Sequence, residues 1–87
     1  MGQKYPLHFP CSFPVKVIGP NREDFTEAVT AIFAAHIGKD SEIHYGRHQS
    51  NGHKYLSITA TFVARSKEQL DDLYQALQKE ELVLLTL

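Results

Sequence analysis

Two stretches of the chain repeat apolar side chains at the three- and four-residue spacing of an α-helix. The first runs from Phe25 through Phe33 to His36, and this spacing predicts a helix with one buried stripe. Asn21 is predicted to cap its N-terminus, because an asparagine side chain accepts a hydrogen bond from the free N–H groups of the first turn. Gly38 is predicted to end the helix.

The second helical pattern places Leu70, Leu73 and Leu77 on one side of a helix. Ser66 and Gln69 stand three residues apart directly before it, which is the spacing of a capping box. We therefore predict a second amphipathic helix that starts after Ser66.

Elsewhere, apolar and polar residues alternate, as in strands that bury one face. Residues 13–18 form the first predicted strand, with Phe13, Val15 and Val17 on the buried face. Residues 41–49 form the second strand. The clearest alternation lies in the third strand, where buried positions are predicted for Leu56, Ile58, Ala60 and Phe62.

The second and third strands are separated by Asn51 and Gly52. This dipeptide is typical of type I′ hairpin turns, because both central residues of such a turn need positive φ. A two-residue turn at this place pairs Tyr45 with Ile58 and keeps the apolar residues of both strands on one face. Turn chemistry and hydrophobic pattern therefore agree on a hairpin.

Residues 82–87 are almost all apolar and are predicted to form the last strand. We predict that Val83, Leu85 and Leu87 face the helices and that Leu84 lies on the open side of the sheet. An apolar side chain on the open side of an edge strand makes Leu84 a candidate interface residue.

The predicted order of elements is strand, helix, strand, strand, helix, strand. Amphipathic elements of both kinds bury one another well as two helices on one face of a four-stranded antiparallel sheet. The α+β, ferredoxin-like βαββαβ sandwich satisfies this arrangement, with the spatial strand order fourth, first, third, second. Residues 9–87 are assigned to this single domain, and residues 1–8 to a flexible leader.

Composition narrows the class of protein. The 87 residues carry 9 Lys+Arg and 10 Asp+Glu, so the chain lacks the basic excess of a nucleic-acid binder. A single cysteine excludes an internal disulfide and paired-cysteine metal motifs. The sequence shows neither a signal peptide nor an apolar run of about 18–20 residues, so we expect a cytoplasmic protein with no membrane contact.

Three parts of the sequence resemble the YbeD-type family of small bacterial proteins, also called lipoate-regulatory-protein-like. They are residues 9–19, residues 50–59, and residues 73–77 with the apolar strand that follows. The resemblance covers residues 9–87 and implies a ferredoxin-like fold, similar to the ACT-type regulatory domains that sense small metabolites. It implies no enzymatic activity and carries over no catalytic residues.

The residues that could carry chemistry do not form a catalytic or metal-binding set. His48 and His53 are predicted to be neighbours at the hairpin turn, but a structural zinc ion needs four ligands and no others stand nearby. Cys11 has no motif around it that would activate a nucleophile. We therefore expect no metal, no cofactor and no enzymatic activity.

Two functions from different classes remain. The first is ACT-like sensing of a small anionic metabolite, with Gly19, Asn21 and Arg22 as candidate ligand-binding residues, because a helix N-terminus offers free N–H groups to an anion. The alternative is a protein-interaction adaptor that binds a partner protein through the open face or edge of its sheet. We also expect a weak homodimer that uses Leu84.

Overall fold

The described part of the protein is a four-stranded sheet with two helices on one side. The computed structural model describes residues 8–38 and 40–87, so the predicted leader lies outside it apart from His8. The strands are antiparallel in the order β2-β3-β1-β4, which confirms the predicted ferredoxin-like α+β fold. The elements are β1 (Cys11–Pro20), α1 (Glu23–Ile37), β2 (His44–Gln49), β3 (Tyr55–Ala64), α2 (Lys67–Lys79) and β4 (Leu85–Thr86).

The core lies between the helices and one face of the sheet. Val15 and Val17 of β1 are fully buried whereas Lys16 between them is exposed, as the alternation predicts. At the centre, the ring of Phe33 from α1 lies 6.3 Å from the ring of Phe62 in β3. The other buried hydrophobic residues are Phe25, Val29, Ile37, Leu56, Ile58, Ala60, Ala64, Leu70, Leu73, Tyr74 and Leu77.

Helix α1 begins one residue later than predicted. Arg22 is its N-cap, and the Arg22 side chain makes no capping hydrogen bond. The Asn21 backbone N–H donates to the Lys54 carbonyl at 3.1 Å, and its side-chain Nδ2 donates to the His53 carbonyl at 3.0 Å. The predicted Asn21 cap is therefore wrong, because Asn21 bonds to the β2–β3 connection instead. Gly38 ends the helix with a φ of 103°, as predicted.

Helix α2 begins as its sequence predicts. The Ser66 hydroxyl accepts a hydrogen bond from the Gln69 backbone N–H at 3.1 Å. The Gln69 side chain accepts from the Arg65 N–H at 2.8 Å and donates to the His36 carbonyl at 3.3 Å, so this residue also links the two helices. Within the described residues, neither helix is long and apolar enough to cross a membrane.

The β2–β3 hairpin forms, but its register differs from the prediction by two residues. Tyr45 pairs with Ala60, two residues further along β3 than predicted. Positive φ angles occur at Gly52 (84°) and His53 (61°), so the predicted two-residue type I′ turn is wrong and residues 51–54 connect the strands. A shift of two residues keeps each side chain on its predicted face, because the faces of a strand alternate with a period of two.

The last strand is shorter than predicted, and its side chains face the other way. Leu85 pairs with Ile18, which shares the outward face of β1 with the exposed Lys16. Leu85 and Leu87 are accordingly 49% and 54% exposed, so their predicted burial under the helices is wrong. Leu84 precedes the strand and is exposed, but it lines a concavity with Tyr74 and Gln78 of α2, so its predicted place on the open side of the sheet is not confirmed. Alternation cannot assign faces in a segment that is apolar at nearly every position.

Candidate functional site

In the part of the chain that the structure describes, no helix covers the outer side of the sheet, and we call this side the open face. Lys16 and Ile18 of β1 lie on it, directly opposite Thr59 and Ser57 of β3. The uncovered side of an antiparallel sheet ordinarily carries polar residues, and the centre of this one does. The open face differs from that pattern at both of its ends, where apolar side chains gather.

At one end, apolar side chains surround a lysine in what we call the Lys16 patch: Lys16, Ile18, Tyr55, Leu85 and Leu87. Leu87 exchanges backbone hydrogen bonds of 2.7 and 3.2 Å with Lys16, and Leu85 lies opposite Ile18. Tyr55 is 43% exposed and lines a shallow concavity with Lys16 and Ile18. The β1–β4 and β1–β3 pairings thus join distant parts of the sequence into one surface.

At the other end, Pro10, Val63 and Arg65 line a second concavity, which we call the Arg65 patch. Val63 is half exposed, and the Arg65 guanidinium donates a hydrogen bond to the Ser41 hydroxyl at 3.2 Å. Between the two patches, the outward positions hold small residues on β3, a proline on β1, and a glycine between two histidines on β2: Ser57, Thr59, Thr61, Pro14, Gly46, His44 and His48.

Charge is divided unevenly between the two sides of the molecule. None of the 10 Asp and Glu residues lies in a strand. All of them belong to the helices or to the segments that connect the helices to the strands. The open face carries the positive charges of Lys16 and Arg65. Glu42 reaches its rim, where a carboxylate oxygen lies 3.8 Å from the His44 ring. The open face therefore combines apolar side chains with positive charge.

The predicted ligand-binding residue Gly19 has a packing role. A Cβ at this position would overlap the Phe25 ring and would lie 2.7 Å from the Leu82 carbonyl oxygen. The lack of a side chain at Gly19 therefore lets α1 and the segment before β4 approach β1 closely, and it does not open a cradle for a ligand.

The other two predicted ligand-binding residues are also engaged within the chain. Asn21 bonds to the hairpin connection, and the Arg22 guanidinium forms an ion pair with the Asp24 carboxylate. Glu23 and Asp24 place negative charge in the first turn of α1, which opposes the binding of an anion there. Gly19 lies at the end of β1 and Asn21 and Arg22 follow it, so the three residues are adjacent, but each of them has a structural role within the chain.

The residues considered for chemistry lie apart or are held by neighbours. His53 Nδ1 lies 2.5 Å from the Gln49 amide oxygen, so its ring bonds along the hairpin. Among residues 8–38 and 40–87, no three histidine, cysteine or acidic side chains form a group that could hold a metal ion. Cys11 is a free, half-buried thiol at the start of β1.

The sequence did not reveal the Lys16 patch, because it placed Leu85 and Leu87 in the core. One signal was present: Ile18 is an outward residue in a strand whose inward residues already fill the core. An outward isoleucine in a central strand usually packs against an apolar residue on the neighbouring strand, and the last strand is the apolar segment that could supply one.

The fold and its open face define the class: a small ferredoxin-like α+β domain with one sheet face left uncovered. Over residues 4–87, the sequence matches the family described as protein of unknown function (DUF493). The UPF0250 protein NE1487 of Nitrosomonas europaea is 35% identical over 81 residues, which cover 93% of both chains. The UPF0250 protein of Chromobacterium violaceum is 32% identical over 81 residues, which cover 93% of this chain and 91% of the relative.

This protein belongs to the DUF493/UPF0250 family of small bacterial proteins, which confirms the resemblance to the YbeD type. The names of these relatives assign no enzymatic activity. The solution structure of protein HP0495 from H. pylori is similar in fold, with a TM-score of 0.73 and 16% sequence identity, and the match covers 98% of this chain and 89% of that one. That likeness supports the ferredoxin-like architecture.

Proposed function

We propose that this protein is a non-enzymatic adaptor that binds a partner protein through its open face. The observation that carries the proposal is the Lys16 patch, where the exposed Tyr55, Leu85 and Leu87 lie around the half-buried Ile18 on a sheet face that no described helix covers. Apolar side chains grouped beside polar ones are typical of protein-binding surfaces, with aromatic residues enriched at their centres.

Sensing of a small anion by Gly19, Asn21 and Arg22 is the second proposal. The absence of a side-chain cap on α1 favours it, since free N–H groups remain at that helix end. The acidic first turn and the Arg22–Asp24 ion pair count against it. We therefore rank the adaptor role first.

The adaptor role is tested by site-specific crosslinking in the native cells. A photoreactive phenylalanine analogue replaces Thr59 at the centre of the open face, or Gln75 on the exposed side of α2 as the matched control. We expect a crosslinked partner protein from position 59 and none from position 75. Adding the change Leu85→Glu to the first variant should remove the product, because it places a charge in the Lys16 patch.

Crosslinks that come equally from both positions, or that survive Leu85→Glu, would contradict binding through the open face. The sensing role has its own measurement, which is the thermal midpoint in the presence of phosphate, carboxylic acids and amino acids. Binding at a hundredfold excess over Kd adds about 2.7 kcal/mol to stability, which is easily detected. A rise that Arg22→Ala abolishes would move sensing to first place.

A further inference from the structure

We propose that the occupant of the open face is an acidic amphipathic helix of the partner protein, lying along the seam between β1 and β3. This inference rests on the proposed adaptor function and gives the partner's contacting segment a chemistry. It depends on the position of the two patches, on the small residues between them and on the division of charge.

The two patches have the spacing of a helix of moderate length. Ile18 in the Lys16 patch is opposite Ser57, and Val63 in the Arg65 patch lies six positions further along β3. At about 3.3 Å per residue, the two patches are roughly 20 Å apart along the strands. A helix rises 1.5 Å per residue, so about 13 residues, or nearly four turns, would reach from one patch to the other.

The surface between the patches favours a helix over an extended segment. Along the seam, Thr59 and Thr61 of β3 are small and Pro14 of β1 is compact, so a helix can approach the sheet closely there and rest its apolar side chains on the patches. An extended segment would seek the unpaired backbone groups of a strand edge, because its own backbone groups need partners. The apolar patches lie on the outward side of β1, β3 and β4 and not along the β2 edge, and the β4 edge has only two strand residues to pair with an added strand.

The charge of the open face selects an acidic helix. Lys16 and Arg65 place one cation in each patch, and the strands contain no carboxylate that would compensate them. A partner with Glu or Asp flanking its apolar stripe would meet a cation at both ends. Complementary charge of this kind sets the orientation of a bound segment and excludes basic competitors.

A second copy of this chain does not meet the same requirements. Two open faces brought together would oppose Lys16 and Arg65 with their own like charges. The acidic side of α2 exposes Glu68 and Asp72, but the leucines of this helix are buried in the core. It therefore offers the charge without the apolar side chains.

The test titrates isotope-labelled protein with two synthetic peptides of about 14 residues, long enough to span both patches. Both peptides carry leucines at helical spacing on one side. The acidic peptide has Glu at its remaining positions, and the basic peptide has Lys at the same positions. We expect the acidic peptide to shift the amide resonances of both patches and to bind more weakly as salt is raised. The basic peptide should shift neither.

Charge reversals sharpen the same measurement. Lys16→Glu and Arg65→Glu should each lower the affinity for the acidic peptide about three- to tenfold. The matched change Lys79→Glu at the end of α2 should leave this affinity unchanged. Lys16→Gln, which adds no new charge, should give a smaller loss and guards against a folding defect. Equal binding of both peptides, shifts confined to one patch, or equal losses at Lys16 and Lys79 would overturn the helix proposal.

The two proposals fail in different ways. If the acidic peptide does not bind while position 59 still crosslinks a native partner, the adaptor role stands and the acidic helix is wrong. If the crosslinked product comes only from position 75, the adaptor role at the open face is wrong as well. Peptide shifts at both patches together with a Thr59 crosslink support both.

Discussion

The two sides of β3 share one backbone and differ in almost every other respect. Ile58 faces the helices and is 1% exposed, whereas Thr59, the next residue, lies on the open face between Lys16 of β1 and Gly46 of β2. One side carries the packing that holds the fold, and the other is free to vary in chemistry without loss of the core. The comparison indicates that the residues that hold the core lie on one side of β3, so the open face can be changed without disturbing them.

The largest expected effect comes from the covered side of β3. Ile58→Ala removes three carbon atoms from a closed core and should lower the free energy of unfolding by about 2–5 kcal/mol. The matched change Thr59→Ala should cost less than about 1 kcal/mol, because it alters only strand preference at the surface. Urea denaturation of both variants measures the difference. Equal losses at the two positions would show that the open face contributes to the folding core.

The next largest difference in stability is expected between alanine substitutions at two glycines, Gly19 and Gly46. Gly19→Ala forces a methyl group against the Phe25 ring and the Leu82 carbonyl, so a loss of about 1–3 kcal/mol is expected. Gly46 lies in the outer strand β2, and a Cβ there meets no atom within 4 Å. Gly46→Ala should be neutral or stabilising by about 0.5–1 kcal/mol, because alanine loses less backbone freedom on folding. A destabilising Gly46→Ala would indicate that something already covers β2.

Much of the fold could be predicted from the sequence, because periodicity reports burial directly. Val15 and Val17 in β1 and the capped start of α2 at Ser66 all follow from local pattern and chemistry. The hairpin register did not follow, since a slip of two residues leaves every face unchanged and only the φ angles of Gly52 and His53 decide it.

The candidate site was harder to predict than the fold. The Lys16 patch depends on which side of β4 faces outward, and a run of leucines carries no alternation to fix it. Asn21 illustrates a second limit: its side chain suits a helix cap, but a carbonyl 32 residues away competes for the same amide. Long-range partners of this kind cannot be read from local sequence.

The dependence of stability on alkaline pH tests the burial of Tyr74 in the core between the helices and the sheet. Burial among core residues raises the pKa of Tyr74, so the folded protein holds this proton more firmly than the unfolded chain does. An unfolded tyrosine ionises near pH 10, so stability is full below about pH 10 and falls as the pH rises further. Tyr74→Phe should lessen this fall in urea titrations between about pH 9 and 11. Burial also raises the pKa of Tyr45, so part of the fall should persist.

An equally steep fall in the Tyr74→Phe variant would show that the alkaline loss arises elsewhere. The comparison uses the slope with pH, and not the stability at one pH, because removal of the hydroxyl group also changes the packing at neutral pH.

The smallest expected effect is self-association through the β4 edge, where Leu84 is 60% exposed. Strand β4 has only two residues, so an edge-to-edge pairing between copies adds few hydrogen bonds and buries little area. We therefore expect a homodimer that forms only at high micromolar to millimolar concentration, corresponding to a binding free energy of roughly −4 to −6 kcal/mol.

Leu84→Lys should make the protein monomeric without altering its unfolding, because the side chain is outside the core and would bring like charges together across a two-fold axis. Sedimentation of wild type and variant over a concentration series measures this. A wild-type protein that stays monomeric throughout that range would show that the β4 edge makes no contact between copies.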